Sequence, residues 1–277
     1  MTLSPWLQAA AVRRAGVAAY GPHDRQQLEI YRPRGETVPL PVVIFFYGGR
    51  WRSGSRRQYR LLARVLAAPG RVVVLPDYRL YPEVRFPTFV QDAQAALAWA
   101  GAHASEYGGD PRRVFLIGHS AGAHLASLAA LGGVTASEPA NGERHQVAVA
   151  GVVGLAGPYD LLPIRDPLLQ DIFGEAGSQP DAQPLGRVHP QAPPFLLLHG
   201  GRDRVVGPGQ SKRMWRRLND MKASGARLVY MQRLGHFRIL TALLGLSPQA
   251  RVVQEEVARF IASPVAAVGR SGPDSHD

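Results

Sequence analysis

The chain has 277 residues, 45% of them hydrophobic and 19% charged, with no cysteine and a formal net charge of +11. That length and apolar content suffice for a buried core and exclude a wholly disordered chain, while the missing cysteines exclude disulfides, thiolate nucleophiles and Cys-ligated metals. The positive charge is almost all arginine, spread along the chain and not gathered into a tail, so no nucleic-acid partner is expected.

Residues 1–20 read as a helical lead-in, with Leu3, Trp6, Leu7 and Ala10 on one face. Their basic residues follow the short apolar stretch, which is not the order of a secretory leader, and a cytoplasmic protein is expected. After the turn at Gly21-Pro22, QQLEIYRP alternates apolar and polar residues as an edge hairpin strand does. In RWRSGSRRQYR and the turn after it, Arg56, Arg60 and Arg64 recur at i, i+4 spacing, the pattern of a solvated helix face.

From Pro41 onward, continuous apolar runs dominate: VVIFFY, RVVVLP, RVFLIG, VAVAGVVGLA, PFLLLHG and ARLVYMQ. Runs without polar alternation predict strands buried on both faces, as in a parallel sheet. None approaches the ~18 apolar residues of a membrane span. Helical stretches alternate with them (QDAQAALAWAGAHASEY, AGAHLASLAAL, GQSKRMWRRLNDMKAS and QARVVQEEVARFIA), which predicts a single α/β domain over residues 1–262. Residues 133–146 read as a polar surface excursion, 158–192 as a candidate lid, and 263–277 as a disordered tail. Nothing in the pattern fixes an oligomeric state.

The chemistry concentrates in Gly118-His119-Ser120-Ala121-Gly122, between a strand and a helix. A serine on so sharp a turn needs small neighbours, and the turn lifts its Oγ out of the sheet while aiming the Ala121 N–H toward a developing oxyanion. Serine needs a base to become a nucleophile, and His236 lies on the loop after the last long strand, downstream of the serine as this geometry requires. His23, His103, His145 and His276 read as exposed loop residues, and His119 and His124 as packing residues. Asp203, in the Gly-rich turn after PFLLLHG, is the expected carboxylate partner of His236, with Asp160 as competitor. Gly48, Gly49 and Arg50, after VVIFF, are candidate oxyanion donors beside Ala121. No P-loop, dinucleotide fingerprint or metal-ligand spacing occurs, so neither cofactor nor metal is expected.

Six segments in order (YGPHDRQQLEIYRP, FFYGGRW, LPDYRLYPEVRFP, GHSAGAHLA, HGGRDRVV and LGHF) make the chain resemble α/β-hydrolases related to hormone-sensitive lipase, especially the bacterial carboxylesterase, feruloyl esterase and kynurenine formamidase-like members. The resemblance covers roughly residues 20–262. It implies a mostly parallel eight-stranded sheet with helices on both faces and a small cap. It also implies Ser120, Asp203 and His236 as a triad acting on small esters through an acyl-enzyme, and Asp77-Tyr78-Arg79-Leu80 with Pro82-Glu83 as support beneath the site. An arylformamidase, a peptidase of the same fold and a non-catalytic binding relative are the rival readings. The chain departs from the family at Tyr47, where a histidine is usual, and its hydroxyl is expected to prop the Gly48-Gly49-Arg50 loop in that histidine's place.

Overall fold

Each of the six apolar runs forms a strand: β3 (Leu40–Phe46), β4 (Val72–Pro76), β5 (Gly109–His119), β6 (Val149–Leu155), β7 (Phe195–Gly200) and β8 (Ala226–Met231). The structure, a computed structural model, describes residues 9–132, 147–263 and 274–276. Successive residues such as Val42 to Phe46 are all fully buried, so both faces of the sheet are covered. β1 (Val12–Ala19) and β2 (Gln27–Pro33) form an antiparallel hairpin, and β2 also runs antiparallel to β4. Every other pairing is parallel. Among the described residues the sheet has nine strands in the order β1-β2-β4-β3-β5-β6-β7-β8-β9, the last being Asp274–His276 beside β8.

The helices are α1 (Arg60–Ala67), α2 (Thr88–His103), α3 (Ala121–Ala130), α4 (Pro167–Gly177), α5 (Gly209–Asp220), α6 (Arg238–Leu243) and α7 (Ala250–Ala262). Helix α3 is buried from Ala121 through Ala129, and its small residues let it lie directly against β3: a Cβ on Gly122 would collide with Phe46 O, and one on Gly118 with Gly122 O. The fold is that of an α/β-hydrolase, with helix α4 and two short 3-10 turns forming a small cap within 158–192.

Two expectations change. The lead-in is not helical across 1–20, since Val12–Ala19 is a strand, and residues 1–8 lie outside the described residues. Pairing with β2 through a bulge at Arg14/Gly16 satisfies this backbone better than a helix interrupted by Gly16 would. Arg56, Arg60 and Arg64 are not simply a solvated face either. Arg60 binds the buried Glu29 through Nε (3.0 Å to Oε2) and Nη2 (2.5 Å to Oε1), Arg56 pairs with Glu29 and Asp77, and Arg64 reaches Val12 O at 2.6 Å. Buried carboxylates far away in sequence draw these side chains inward. Helix α6 and strand β9 were not anticipated. Residues 133–146 lie outside the described residues, as does the expected tail apart from Ser263 and Asp274–His276.

Candidate active site

Ser120 joins β5 to α3 at φ 54°, ψ −123°, a strained conformation for a residue with a side chain. Its N–H donates to Leu155 O at 2.9 Å, which fixes the turn to β6. The glycines on either side give the space the turn needs, and Oγ emerges at the C-terminal edge of the parallel strands.

The loops after β7 and β8 meet at that edge. Gly201 N–H donates to Met231 O and Arg202 N–H to Leu234 O, both at 2.9 Å, so the Asp203 turn is laid directly against the His236 loop. A Cβ on Gly200 would strike Leu234 O, so this approach needs glycine. His236 Nε2 lies 2.9 Å from Ser120 Oγ and His236 Nδ1 lies 2.7 Å from Asp203 Oδ2. Asp203 Oδ1 accepts from Val205 N–H (2.8 Å) and Val206 N–H (2.9 Å). Burial alone would push the Asp203 carboxyl up, but hydrogen bonds from His199, His236 and Val206 outweigh it and hold the group far below the usual carboxylate range. Asp160 stands apart, beside Arg213 at 3.3 Å.

An imidazole held between a serine hydroxyl and an ionised carboxylate can take the hydroxyl proton and be stabilised as imidazolium. On the opposite side of Ser120, the loop after β3 comes so close that a Cβ on Gly48 would lie 3.0 Å from Ser120 Cβ. Gly49 (φ 139°), Arg50 (φ 53°) and Trp51 (φ 57°) turn this loop back on itself. The backbone N–H groups of Gly49, Arg50 and Ala121 have no acceptor among the described residues. The Arg50 side chain leaves the site and pairs with Asp166, the N-cap of α4, at 2.7 Å.

Tyr47 differs from the expectation. Its hydroxyl donates to Asp77 Oδ1 (2.8 Å) and accepts from Arg25 Nη2 (2.9 Å), while the ring stacks between Tyr59 and Tyr78. Arg25 also binds Gly54 O, and Asp77 also accepts the Arg56 N–H. The hydroxyl therefore ties the far end of the loop, at Gly54 and Arg56, and does not touch Gly48, Gly49 or Arg50. Asp77 is the support beneath the site that its motif implies.

His119 and His124 do not converge on a shared proton. His119 Nε2–H donates to His236 O at 3.1 Å, and burial, followed by the nearby His236, lowers its pKa to about 3. His124 is fully buried, neither ring nitrogen has a hydrogen-bond partner among the described residues, and burial lowers its pKa to about 3. It meets Trp51 and Phe173 edge to face at 5.2 and 5.5 Å. With Phe86 and Phe89 these rings form an aromatic block beside the loop after β3. Sequence reasoning missed this block, whose members come from four separate segments. It also gave no role to His199, although the residue was visible in the same HGG turn as Asp203. Among the described residues, no three His, Asp or Glu side chains are grouped to hold a metal ion, and no helix is long and apolar enough to cross a membrane.

Comparison with known proteins places this geometry in context. The family described as BD-FAE matches residues 28–218. Esterase LipC of Mycobacterium tuberculosis is 35% identical over 237 residues, covering 78% of this chain and 58% of LipC. The isoprenylcysteine alpha-carbonyl methylesterase ICME of Arabidopsis thaliana is 31% identical over 239 residues, covering 79% and 55%. The chain thus spans little more than half the length of these relatives. Among solved structures, the apo form of Thermogutta terrifontis esterase 2 superposes with a TM-score of 0.76 at 23% identity, covering 89% of this chain and 93% of that one. A truncated carbohydrate esterase from gut microbiota gives 0.74 at 19% identity, covering 90% and 98%.

Proposed function

Because the chain belongs to the BD-FAE family, we propose that it is a carboxylic ester hydrolase for small, short-acyl esters, working through Ser120, His236 and Asp203. The observation that carries the reading is the continuous relay from Ser120 Oγ to His236 (2.9 Å) to Asp203 (2.7 Å) on a strained strand-to-helix turn.

In the first half-reaction, Ser120 Oγ attacks the ester carbonyl as His236 Nε2 takes its proton. The carbonyl oxygen gains the negative charge, facing backbone N–H groups from Gly48, Gly49, Arg50 and Ala121. Collapse of the tetrahedral intermediate breaks the C–O bond to the alcohol, which leaves with the proton from His236. Water then repeats the sequence on the acyl-serine, releasing the carboxylic acid and restoring the hydroxyl. Asp203 orients the imidazole and offsets its transient charge, while remaining ionised.

The aromatic block supports the short-acyl preference. Trp51, Phe89, His124 and Phe173 are all nearly or fully buried and pack together one helical turn from Ser120, and we take this block as the wall that keeps the acyl side short. A p-nitrophenyl ester series from acetate to decanoate tests the reading, run with an N-formyl arylamine and a p-nitroanilide for the formamidase and peptidase alternatives. Turnover is expected to be greatest at the shortest chains and lost in Ser120→Ala, with the melting temperature kept. A Ser120→Ala protein that melts normally and retains most of its activity would overturn the assignment.

A further inference from the structure

Asp203 faces two imidazoles. His236 takes one side of its Oδ2, and the fully buried His199, at the end of β7, brings Nε2 to 3.3 Å of the same oxygen. His199 Nε2 also lies 2.9 Å from Val206 O. A carbonyl cannot donate, so Nε2 carries the hydrogen. The ring is held from the other end by Ser211 Oγ, 2.7 Å from Nδ1, on the first turn of α5. Val206 is the residue whose N–H binds Asp203 Oδ1. One N–H thus pins the Val206 peptide, which pins the carboxylate, and also points positive charge at the oxygen that His236 uses.

Resting on the ester-hydrolase reading, we propose that His199 is a positioning residue of the triad: it fixes the Asp203 turn and draws off part of the carboxylate's charge, so that His236 sheds its proton at lower pH. Burial of the imidazole within the α/β core makes the effect strong, because water does not screen it. His199 Nε2, 3.3 Å from Oδ2, is among the groups that hold Asp203 ionised against its burial. The other groups around the relay are few. His119 lies against His236 with ring centroids 4.8 Å apart, and Ser120 faces His236 Nε2. Arg202 and Arg204 flank Asp203 but are exposed, as are Arg233 on the neighbouring loop and Arg238 at the start of α6. Ser211 faces His199 from α5, Tyr159 on the loop after β6 lies near Ser211, and Tyr230 is the register partner of His199 on β8.

The test compares pH profiles of wild type, His199→Phe, His199→Gln and His199→Asn on p-nitrophenyl acetate. Gln places an amide N–H where Nε2 stood, whereas the shorter Asn reaches only the Nδ1 position. His199→Phe is expected to lower kcat/KM roughly tenfold or more. It should also move the acid limb of the profile up by about half a pH unit, because Asp203 then exerts its full charge on His236. His199→Asn should show the same shift, which covers the case of a Phe variant that does not fold, and His199→Gln should return the limb toward wild type. NMR titration of the His236 Cε1–H resonance reads the same displacement without turnover. A wild-type protein inactive on esters would count against the proposed activity, while the NMR midpoints would still decide this inference. Coincident midpoints and acid limbs in all four proteins would overturn it and leave His199 a packing residue.

Discussion

Acid should destabilise this protein well above the range in which carboxylates protonate, and His124 supplies a clean measure of the effect. The imidazole is fully buried without a hydrogen-bond partner among the described residues, and burial lowers its pKa to about 3. In the unfolded chain it titrates near an ordinary value of about 6.5. Its folded pKa is thus depressed, so the neutral ring contributes stability that is complete above about 6.5 and is lost as the pH falls toward 3. Between pH 8 and pH 5 the unfolded state gains nearly a full proton that the folded state refuses, which costs about 2 kcal/mol. For a domain of this size that amounts to about 4–8 °C in Tm. His119, lowered to about 3 by burial and by His236, adds a second contribution of the same sign and size. His124→Phe retains a ring that can meet Trp51 and Phe173 edge-on, and removes the titration. Urea unfolding at pH 8, 7, 6 and 5 should show a fall in stability about 2 kcal/mol smaller in the variant than in wild type. Parallel pH dependences in the two proteins would refute the reasoning, for the imidazole would then have found a partner or solvent.

Asp203→Asn should lower kcat by roughly 10⁴-fold, because the imidazolium loses its counter-charge and the ring its fixed tautomer. Asp160→Asn should stay near wild type, and steady-state kinetics in which Asp160→Asn is the crippled variant would reverse the assignment. Tyr47→Phe removes a hydroxyl bonded to Asp77 and Arg25, and should cost about 1–2 kcal/mol of stability in urea melts. Because that hydroxyl does not touch the proposed oxyanion donors, kcat should fall less than about tenfold, short of the roughly 10²- to 10³-fold that losing an oxyanion donor costs. A hundredfold loss of kcat with unchanged stability would mean that the tyrosine acts on the donors after all.

The site was legible where chemistry imposes local sequence. Gly118 and Gly122 are required by backbone contacts with their own helix and with β3, so the serine turn declares itself in five residues. The central strands were legible for the same reason: burial on both faces leaves no room for polar residues. The errors arose where distant partners decide. Val12–Ala19 has weak local preference and takes its conformation from β2, whose register partners run from Pro33 opposite Val12 to Gln27 opposite Ala19 and are invisible to a helical pattern count. Arg56 and Arg60 have the spacing of an exposed face, yet Glu29 lies buried beneath them across the hairpin strand. His199 sat in a recognised motif, and only the folded chain shows Asp203 and Val206 turning back onto its ring.

The cap helix has a built-in break. Gly174 leaves helical geometry (φ 55°, ψ −160°), so the turns before it form a separate rigid piece of α4. That piece carries Phe173, the ring pressed against Trp51, together with Asp166 and Asp171, which pair with Arg50 and Arg85 at 2.7 and 2.8 Å. The aromatic contact and the two ion pairs therefore belong to one stretch of helix. Both ion pairs are solvent-exposed and weaken as ionic strength rises, whereas the aromatic contacts do not. Rising ionic strength therefore shifts the hold on this piece from its charges to its buried rings and to the Phe86 N–H bond to Ile172 O.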